Sequence, residues 1–178
     1  MTTPPPPHPL VAQSETVLLA PGPVCSISRV HTDYLCELAR TVSRRRARIN
    51  LHVTNADKLH EMIVAVAGDS YIRPHRHPGK SESFHMIEGE VDVVVFDDGG
   101  DITDCVRLSA PGGAGAFCYR MSEPLFHTVV VKSSMAVFHE VTDGPFILGQ
   151  AVTAPFAPDE GDAEAGAAFL RRLRERIQ

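Results

Sequence analysis

The sequence lacks the features of exported and membrane-inserted chains. No apolar run approaches the about 18 residues that a membrane-spanning helix needs, and no Lys or Arg precedes an apolar core near the start, as a signal peptide requires. The four cysteines form neither a CxxC pair nor a disulfide-like framework, so reduced thiols are the simpler interpretation. These absences predict a cytoplasmic protein that does not insert into a membrane.

Patterns for nucleic-acid and calcium binding are also missing. The formal net charge of -5 over 178 residues argues against nucleic acid as a partner. The turn that contains Asp97, Asp98 and Asp101 lacks the spacing and the terminal glutamate of an EF-hand, so we expect solvated side chains there. No helix-turn-helix pattern is present, which weakens a regulatory role.

The chemistry is concentrated in one stretch, Gly68 to Gly89, which reads GDSYIRPHRHPGKSESFHMIEG. Alternate side chains of an extended strand share a face, so His75 and His77 point the same way, with about 7 Å between their Cα atoms. Pro78-Gly79 favours a tight turn, which would carry Glu82 back toward both rings. This arrangement predicts a metal site; the alternative is a solvated histidine pair in a loop.

A fourth ligand is expected from the apolar run LFHTVVV, which contains His127. A histidine amid β-branched residues on a buried strand needs a polar partner, which is either a metal or a hydrogen bond within the core. Imidazole with one carboxylate suits iron, zinc, manganese or nickel. We therefore expect one divalent transition metal ion, and the predicted ligands are His75, His77, Glu82 and His127. On an octahedral ion two adjacent positions would stay open, as is typical of catalytic sites.

The spacing of this stretch resembles that of a known superfamily. Gly68, six residues, His75-x-His77, four residues, Glu82, six residues and Gly89 is similar to the first conserved motif of the cupin superfamily. The second cupin motif is kept only at His127; its other expected positions hold Ala116, Ser122, Pro124 and Val131. The phrases SYIRPHRH, FHTVVV and EVTDGPF resemble the cupin fold metalloproteins of the WbuC type over residues 44–158.

The resemblance implies an all-β fold with minor flanking helices, namely a cupin-like double-stranded β-helix barrel, or jelly roll. It further implies a metal-binding barrel without a firmly assigned reaction, and a homodimer, because relatives of this shape often pair. The strand pattern agrees, since short strands about ten residues apart between residues 102 and 152 favour a sandwich or closed barrel.

The segment from Arg44 to Val53 alternates polar and apolar residues, which predicts a half-buried strand with one polar face. If that face meets solvent, it is an ordinary wet strand. If it looks into the barrel, as the resemblance favours, its guanidinium groups form an anion-binding wall opposite the metal. The polar residues of this strand are Arg46, Arg48, Asn50 and His52.

An uninterrupted strand would also place Tyr71 and Arg73 on the face of the paired histidines. Arg73 then either holds a substrate or pairs with a nearby carboxylate. No clear general base is evident, and Tyr71 and His52 are the catalytic candidates. The candidate substrate-binding residues are Arg46, Arg48, Asn50 and Arg73.

Three segments follow from these patterns. Residues 1–24 are rich in proline and predict a disordered arm. Residues 25–158 predict the barrel, preceded by an amphipathic helix in which Tyr34, Leu38 and Val42 recur every four residues. Residues 159–178 predict a C-terminal helix with a basic, solvated face.

The function expected from the sequence is that of a mononuclear metal-binding cupin. As an enzyme of oxygenase or isomerase type, it would act on a small anionic or sugar-derived substrate through an open metal position. The alternative is a non-catalytic module that binds or senses a small molecule through its metal. A purely structural metal, with no exchangeable water, is a third hypothesis.

Overall fold

The computed structural model describes residues 5–177, which form two sheets and two helices. The helices are α1 (Arg29–Thr41) and α2 (Ala163–Arg176). The strands are β1 (Val11–Ala12), β2 (Val17–Leu19), β3 (Arg46–Asn50), β4 (Leu59–Ala67), β5 (His75–Arg76), β6 (Glu82–Glu88), β7 (Glu90–Phe96), β8 (Ile102–Ser109), β9 (Cys118–Met121), β10 (Phe126–Val131), β11 (Met135–Asp143) and β12 (Val152–Thr153).

The strand order is that of a jelly roll. One sheet has the order β1-β2-β3-β4-β11-β6-β9, and the other has the order β12-β5-β10-β7-β8. From β4 to β11 the chain crosses between the sheets at every step except β7 to β8, a hairpin within one sheet. Eight antiparallel strands that alternate in this way between two packed sheets form a jelly roll. The predicted all-β class with flanking helices is confirmed.

The barrel interior is apolar over most of its length. Val66, Phe84, Val91 and Val131 belong to one buried cluster between the sheets. Successive residues of a strand face opposite sides, so the period-two alternation in the sequence separates this inner cluster from the outer faces. Between β6 and β7 the chain bends at Gly89, whose φ of +76° suits glycine.

The two helices cover the two outer faces. Leu35 and Leu38 of α1 pack on Ala47 and Ile49 of β3. Leu170 and Leu173 of α2 pack on the other sheet. Each fully buried leucine is worth about 1.5–3 kcal/mol of transfer free energy, so the helices stabilise the barrel from outside.

Both helices begin at a capping residue. The backbone N–H of Ser28 donates to Nδ1 of His31 at 2.9 Å, in the first turn of α1. The carboxylate of Asp162 accepts from the N–H of Ala165 at 3.0 Å at the start of α2. Such caps satisfy backbone groups that a helix end leaves unpaired. No helix within residues 5–177 is both long and apolar enough to cross a membrane.

The predicted disordered arm is wrong for the segment around β2. This strand pairs in parallel with β3, and Leu10, Leu18 and Ala20 are buried in the cluster beneath α1. Proline content predicted disorder, but a few apolar side chains suffice to dock a segment when a sheet edge is available. Residues 1–4 of the arm, and residue 178 of the predicted C-terminal helix, lie outside the described residues.

Candidate metal centre

The strand β5 and its following turn bring the first three predicted ligands together. His75 lies in β5, directly opposite His127 of β10. His77 follows β5, and its carbonyl accepts from the N–H of Lys80 at 3.2 Å, which closes a turn. Gly79 adopts a φ of +74° in that turn, a conformation that glycine accepts readily. The chain thereby reverses, and Glu82 opens β6 beside the histidines.

The three imidazoles converge at one end of the barrel interior. The ring centroids of His75 and His77 are 4.8 Å apart, as are those of His75 and His127. One ligand nitrogen from each of the three rings lies within 4.8 Å of the others. The Glu82 carboxylate joins them, with Oε1 3.3 Å from Nε2 of His127 and Oε2 3.6 Å from Nε2 of His77. The structure therefore brings together the four residues that the sequence predicted to meet.

Backbone carbonyls orient two of the rings. Nδ1 of His75 is 2.9 Å from the carbonyl oxygen of Arg73, and Nδ1 of His127 is 3.0 Å from that of Leu125. A carbonyl oxygen only accepts, so each Nδ1 carries a proton, which leaves Nε2 as the nitrogen that can bind a metal. This outer support is how proteins prepare histidine for a metal.

The carboxylate of Glu82 is also held in place. The Tyr119 hydroxyl donates to Oε1 at 2.7 Å, and the side chain is only 5% exposed. Burial alone would raise the pKa of Glu82, but the hydrogen bond and charge of His127 and the hydrogen bond from Tyr119 outweigh it and lower the pKa to about 2. The group is therefore an anion at neutral pH.

The histidines differ in charge. Burial, followed by the neighbouring His127, lowers the pKa of His75 to about 4, and burial also lowers the pKa of His77. Burial would lower the pKa of His127 as well, but the hydrogen bond and charge of Glu82 raise it above its ordinary value. The cluster thus offers two neutral imidazoles, the form that binds metals, and a histidine–carboxylate pair.

An open cavity of about 690 Å³ lies over these side chains. On β3, Ala47 and Ile49 pack outward against α1, whereas Arg46 and Arg48 are paired in register with Val66 and Val64 of the inner face. The polar face of this strand therefore looks into the barrel. The predicted binding residues that line the cavity are Arg46, Arg48 and Arg73. Asn50 is buried and is not part of its lining.

The loop between β12 and α2 engages two of these arginines. Arg46 donates to both carboxylate oxygens of Glu160, at 2.7 and 2.9 Å. Arg73 donates to Asp159 at 2.9 Å and to the Ala154 carbonyl at 3.2 Å. Of the two alternatives for Arg73, the ion pair is the one that the structure contains.

The catalytic candidates Tyr71 and His52 do not line the main cavity over the four clustered residues. The Tyr71 ring packs against Phe169 of α2, and its hydroxyl donates to the Pro158 carbonyl at 2.8 Å. The prediction assumed an unbroken strand, but residues 68–74 are not in a strand, so the alternation of faces does not extend back to Tyr71. His52 stacks on His60 at a centroid distance of 3.9 Å and contacts the Glu61 carbonyl.

Glu140 is a further acidic residue at this site. It lies on β11 and lines the main cavity. Burial, followed by the charge of Glu82, raises the pKa of Glu140 to about 8. The sequence signal that could identify Glu140 is a carboxylate within the apolar strand VFHEV, on the same face as Phe138. Tyr119 and Glu160 gave no such signal.

Comparisons with known proteins concern fold rather than activity. Residues 27–108 match the model of a family described as "Domain of unknown function (DUF6016)". No curated protein matches the chain.

Three solved structures illustrate the likeness in fold. Protein SO0799 from Shewanella oneidensis is 8% identical, with a TM-score of 0.51 over 62% of this chain and 73% of that one. An uncharacterized conserved protein with a double-stranded β-helix domain from Klebsiella pneumoniae is 16% identical, with a TM-score of 0.46 over 61% and 79%. The cupin domain of Cnp3 from Schizosaccharomyces pombe is 10% identical, with a TM-score of 0.44 over 57% and 66%.

Proposed function

We propose that this protein is a mononuclear metal-binding cupin, in which one divalent transition metal ion is held by His75, His77, Glu82 and His127. The observation that supports the proposal most directly is the convergence of three imidazoles and one buried carboxylate, two of the rings being oriented through Nδ1 by carbonyl groups. The finer assignment to the WbuC type is part of this proposal and depends on the motifs in the sequence.

The donor set is suited to the metals expected from the sequence. Imidazole nitrogens from three histidines and one anionic oxygen match iron, zinc, manganese or nickel. A bound ion of this kind would supply Lewis-acid chemistry, polarising a carbonyl or carboxylate group of a substrate. His75 and His77 need not lose a proton near neutral pH, because their pKa values lie below the ordinary value.

The side chains around the donors favour an enzyme that acts on a small anionic or sugar-derived molecule. The cavity of about 690 Å³ opens over the donors, so a ligand can reach them. Arg48 supplies a positive charge on the cavity wall, and the carboxyl group of Glu140 can hold or release a proton there. An oxygenase or an isomerase would use these features.

A non-catalytic binding or sensing module is the second candidate. It is favoured by the positions of Tyr71 and His52, since neither predicted catalytic residue lines the main cavity over the four clustered side chains. Assays of the iron-loaded protein with candidate sugars and keto acids, for oxygen uptake and for product, distinguish the two functions.

Elemental analysis of protein purified without added metal tests the proposal. We expect about one transition metal ion per chain in the wild type, and loss of that metal in the variants His75→Ala and His127→Ala. The matched control is His85→Ala, which removes an exposed histidine on the outer side of β6. Unchanged metal content in the His127 variant would break the proposed ligand set.

A further inference from the structure

The main cavity adjoins a smaller side chamber. The side chamber has a volume of about 130 Å³ and is lined by residues that include His52, His60 and Gln150. Arg48, His77, Glu140 and Ala151 line both spaces and so lie at their junction. A ligand in the main cavity that contacts the histidine cluster with one end can therefore contact Arg48 and Glu140 on the side toward the side chamber.

Arg48 differs from the other arginines around the cavity because, among residues 5–177, its guanidinium has no hydrogen-bond or ion-pair partner. Arg44 and Arg46 both donate to Glu160, and Arg73 donates to Asp159. Within residues 5–177, the guanidinium of Arg48 makes no hydrogen bond or ion pair, and its side chain is exposed although it faces the barrel interior. Its five N–H donors are free to bind a ligand.

The surroundings of Arg48 leave its charge uncompensated. Glu140 is the acidic group that shares both spaces with it, yet the two form no ion pair within 4 Å among the described residues. One free positive charge balances a monoanionic group better than a dianionic group such as phosphate.

We infer that Arg48 is the anion-binding residue of this site and that it holds a carboxylate of the ligand distant from the end that meets the metal. The planar guanidinium fork matches a carboxylate in a bidentate manner. Four protein donors would leave two adjacent positions on an octahedral ion, which suits a bidentate 2-oxo or 2-hydroxy acid at the metal-binding end. The ligand class is therefore a small dicarboxylic acid with such a group at one end. This inference rests on the proposed function, because the second end of the ligand requires the metal.

Two acids of equal chain length isolate the contribution of Arg48. 2-Oxoglutarate and 2-oxopentanoate share the 2-oxo acid end and differ in carrying a carboxylate or a methyl group at the far end. Binding of each acid to nickel-loaded protein is measured by calorimetry at pH 7, which gives a readout independent of turnover. We expect 2-oxoglutarate to bind at least about tenfold more tightly to the wild type, as hydrogen bonds to charged groups imply.

Variants assign that preference to one side chain. Arg48→Met is expected to abolish the preference for 2-oxoglutarate, and Arg48→Lys to retain part of it, since it keeps the charge but loses the fork. Arg171→Met, which changes an exposed arginine of α2, should keep the full preference.

The outcomes separate this inference from the function on which it rests. A wild-type protein that binds no nickel overturns the proposed function and this inference together. A protein that binds nickel but shows no preference between the two acids overturns the inference alone. So does an Arg48→Met protein that binds nickel normally and keeps the wild-type preference.

Discussion

Two groups of histidines lie on opposite sides of the barrel wall, and each has a glutamate beside it. The inner group is His75, His77 and His127 with Glu82. In the outer group, His85 and His139 face each other across β6 and β11 with ring centroids 6.3 Å apart. Nε2 of His139 is 3.5 Å from Oε1 of Glu61. By residue type alone the two groups look alike.

Their surroundings differ in ways that determine what each group can bind. The inner rings come from two strands and a turn and converge on one point, and two are oriented through Nδ1 by carbonyl groups. The outer rings stack side by side with an interplanar angle of 25°, and Glu61 is partly exposed. The comparison teaches that convergence and outer-shell support, rather than the presence of histidine and glutamate, distinguish a candidate metal site.

The largest effect that we expect is a loss of unfolding free energy when the metal is removed. This loss should depend on the inner group and not on the outer one. Adding a chelator to metal-loaded protein should lower the free energy of unfolding by about 4 kcal/mol when free metal had been about 1,000 times its dissociation constant. Thermal or urea unfolding with and without the chelator measures the difference. The His85→Ala and His139→Ala variants should respond as the wild type does.

The His77→Ala variant should lose most of this response, because it lacks one of the four donors. If it kept the full response while His139→Ala lost it, the roles that we assign to the two groups would be reversed.

Glu140 offers a pH-dependent test of the inner face. Its pKa in the folded state, about 8, lies above the ordinary value of 4.5. Between these two pH values the folded protein keeps the carboxyl protonated while the unfolded chain would ionise it, so the free energy of unfolding falls as pH rises. The contribution of Glu140 to the free energy of unfolding is therefore complete below pH 4.5 and is lost progressively as pH rises toward 8. Relative to Glu140→Gln, the metal-free wild type should lose roughly 3 kcal/mol of unfolding free energy between pH 5 and pH 8, as measured by urea unfolding.

The outer carboxylate provides the control for that measurement. Glu61→Gln changes a partly exposed group, and its stability relative to the wild type should vary little over the same pH range. A Glu140→Gln protein whose advantage did not grow with pH would show that Glu140 is ionised at neutral pH.

The support for Glu82 should have a smaller effect, confined to metal affinity. Tyr119→Phe removes the hydrogen bond to Oε1 and keeps the ring that packs on Phe84. Loss of such outer-shell support typically costs 10- to 100-fold in metal affinity, which competition with a chromophoric chelator measures. Tyr34→Phe, on α1, is the matched control. An equal loss of metal affinity in Tyr34→Phe would show that the effect does not come from the hydrogen bond of Tyr119 to Glu82.

Much of the inner site followed from local rules. His75 and His77 share a side because they are two residues apart, and Pro78-Gly79 reverses the chain toward Glu82. The apolar run around His127 indicated a buried strand that needed a polar partner. These inferences hold because each depends on a few neighbouring residues, and the strand order then confirmed the fold class.

The errors arose where a prediction depended on how distant segments dock. Tyr71 was expected to face inward on a long strand, but β5 contains only His75–Arg76, and α2 receives the Tyr71 ring instead. The proline-rich start was expected to be disordered, yet Leu18 docks beneath α1. Neither outcome depends on local sequence, because each needs a partner surface supplied by residues far along the chain.

The sequence by itself determined the spacing of the proposed metal ligands and which residues of a strand share a face, since both follow from the two-residue period of an extended chain. Only the tertiary structure decided which arginine remains available to a ligand. Glu160, which is 114 residues from Arg46 in sequence, pairs with Arg46 and leaves the Arg48 guanidinium without a partner among residues 5–177. Competition among charges for partners is settled by the distances between folded segments, and those distances are not encoded in any short stretch of the chain.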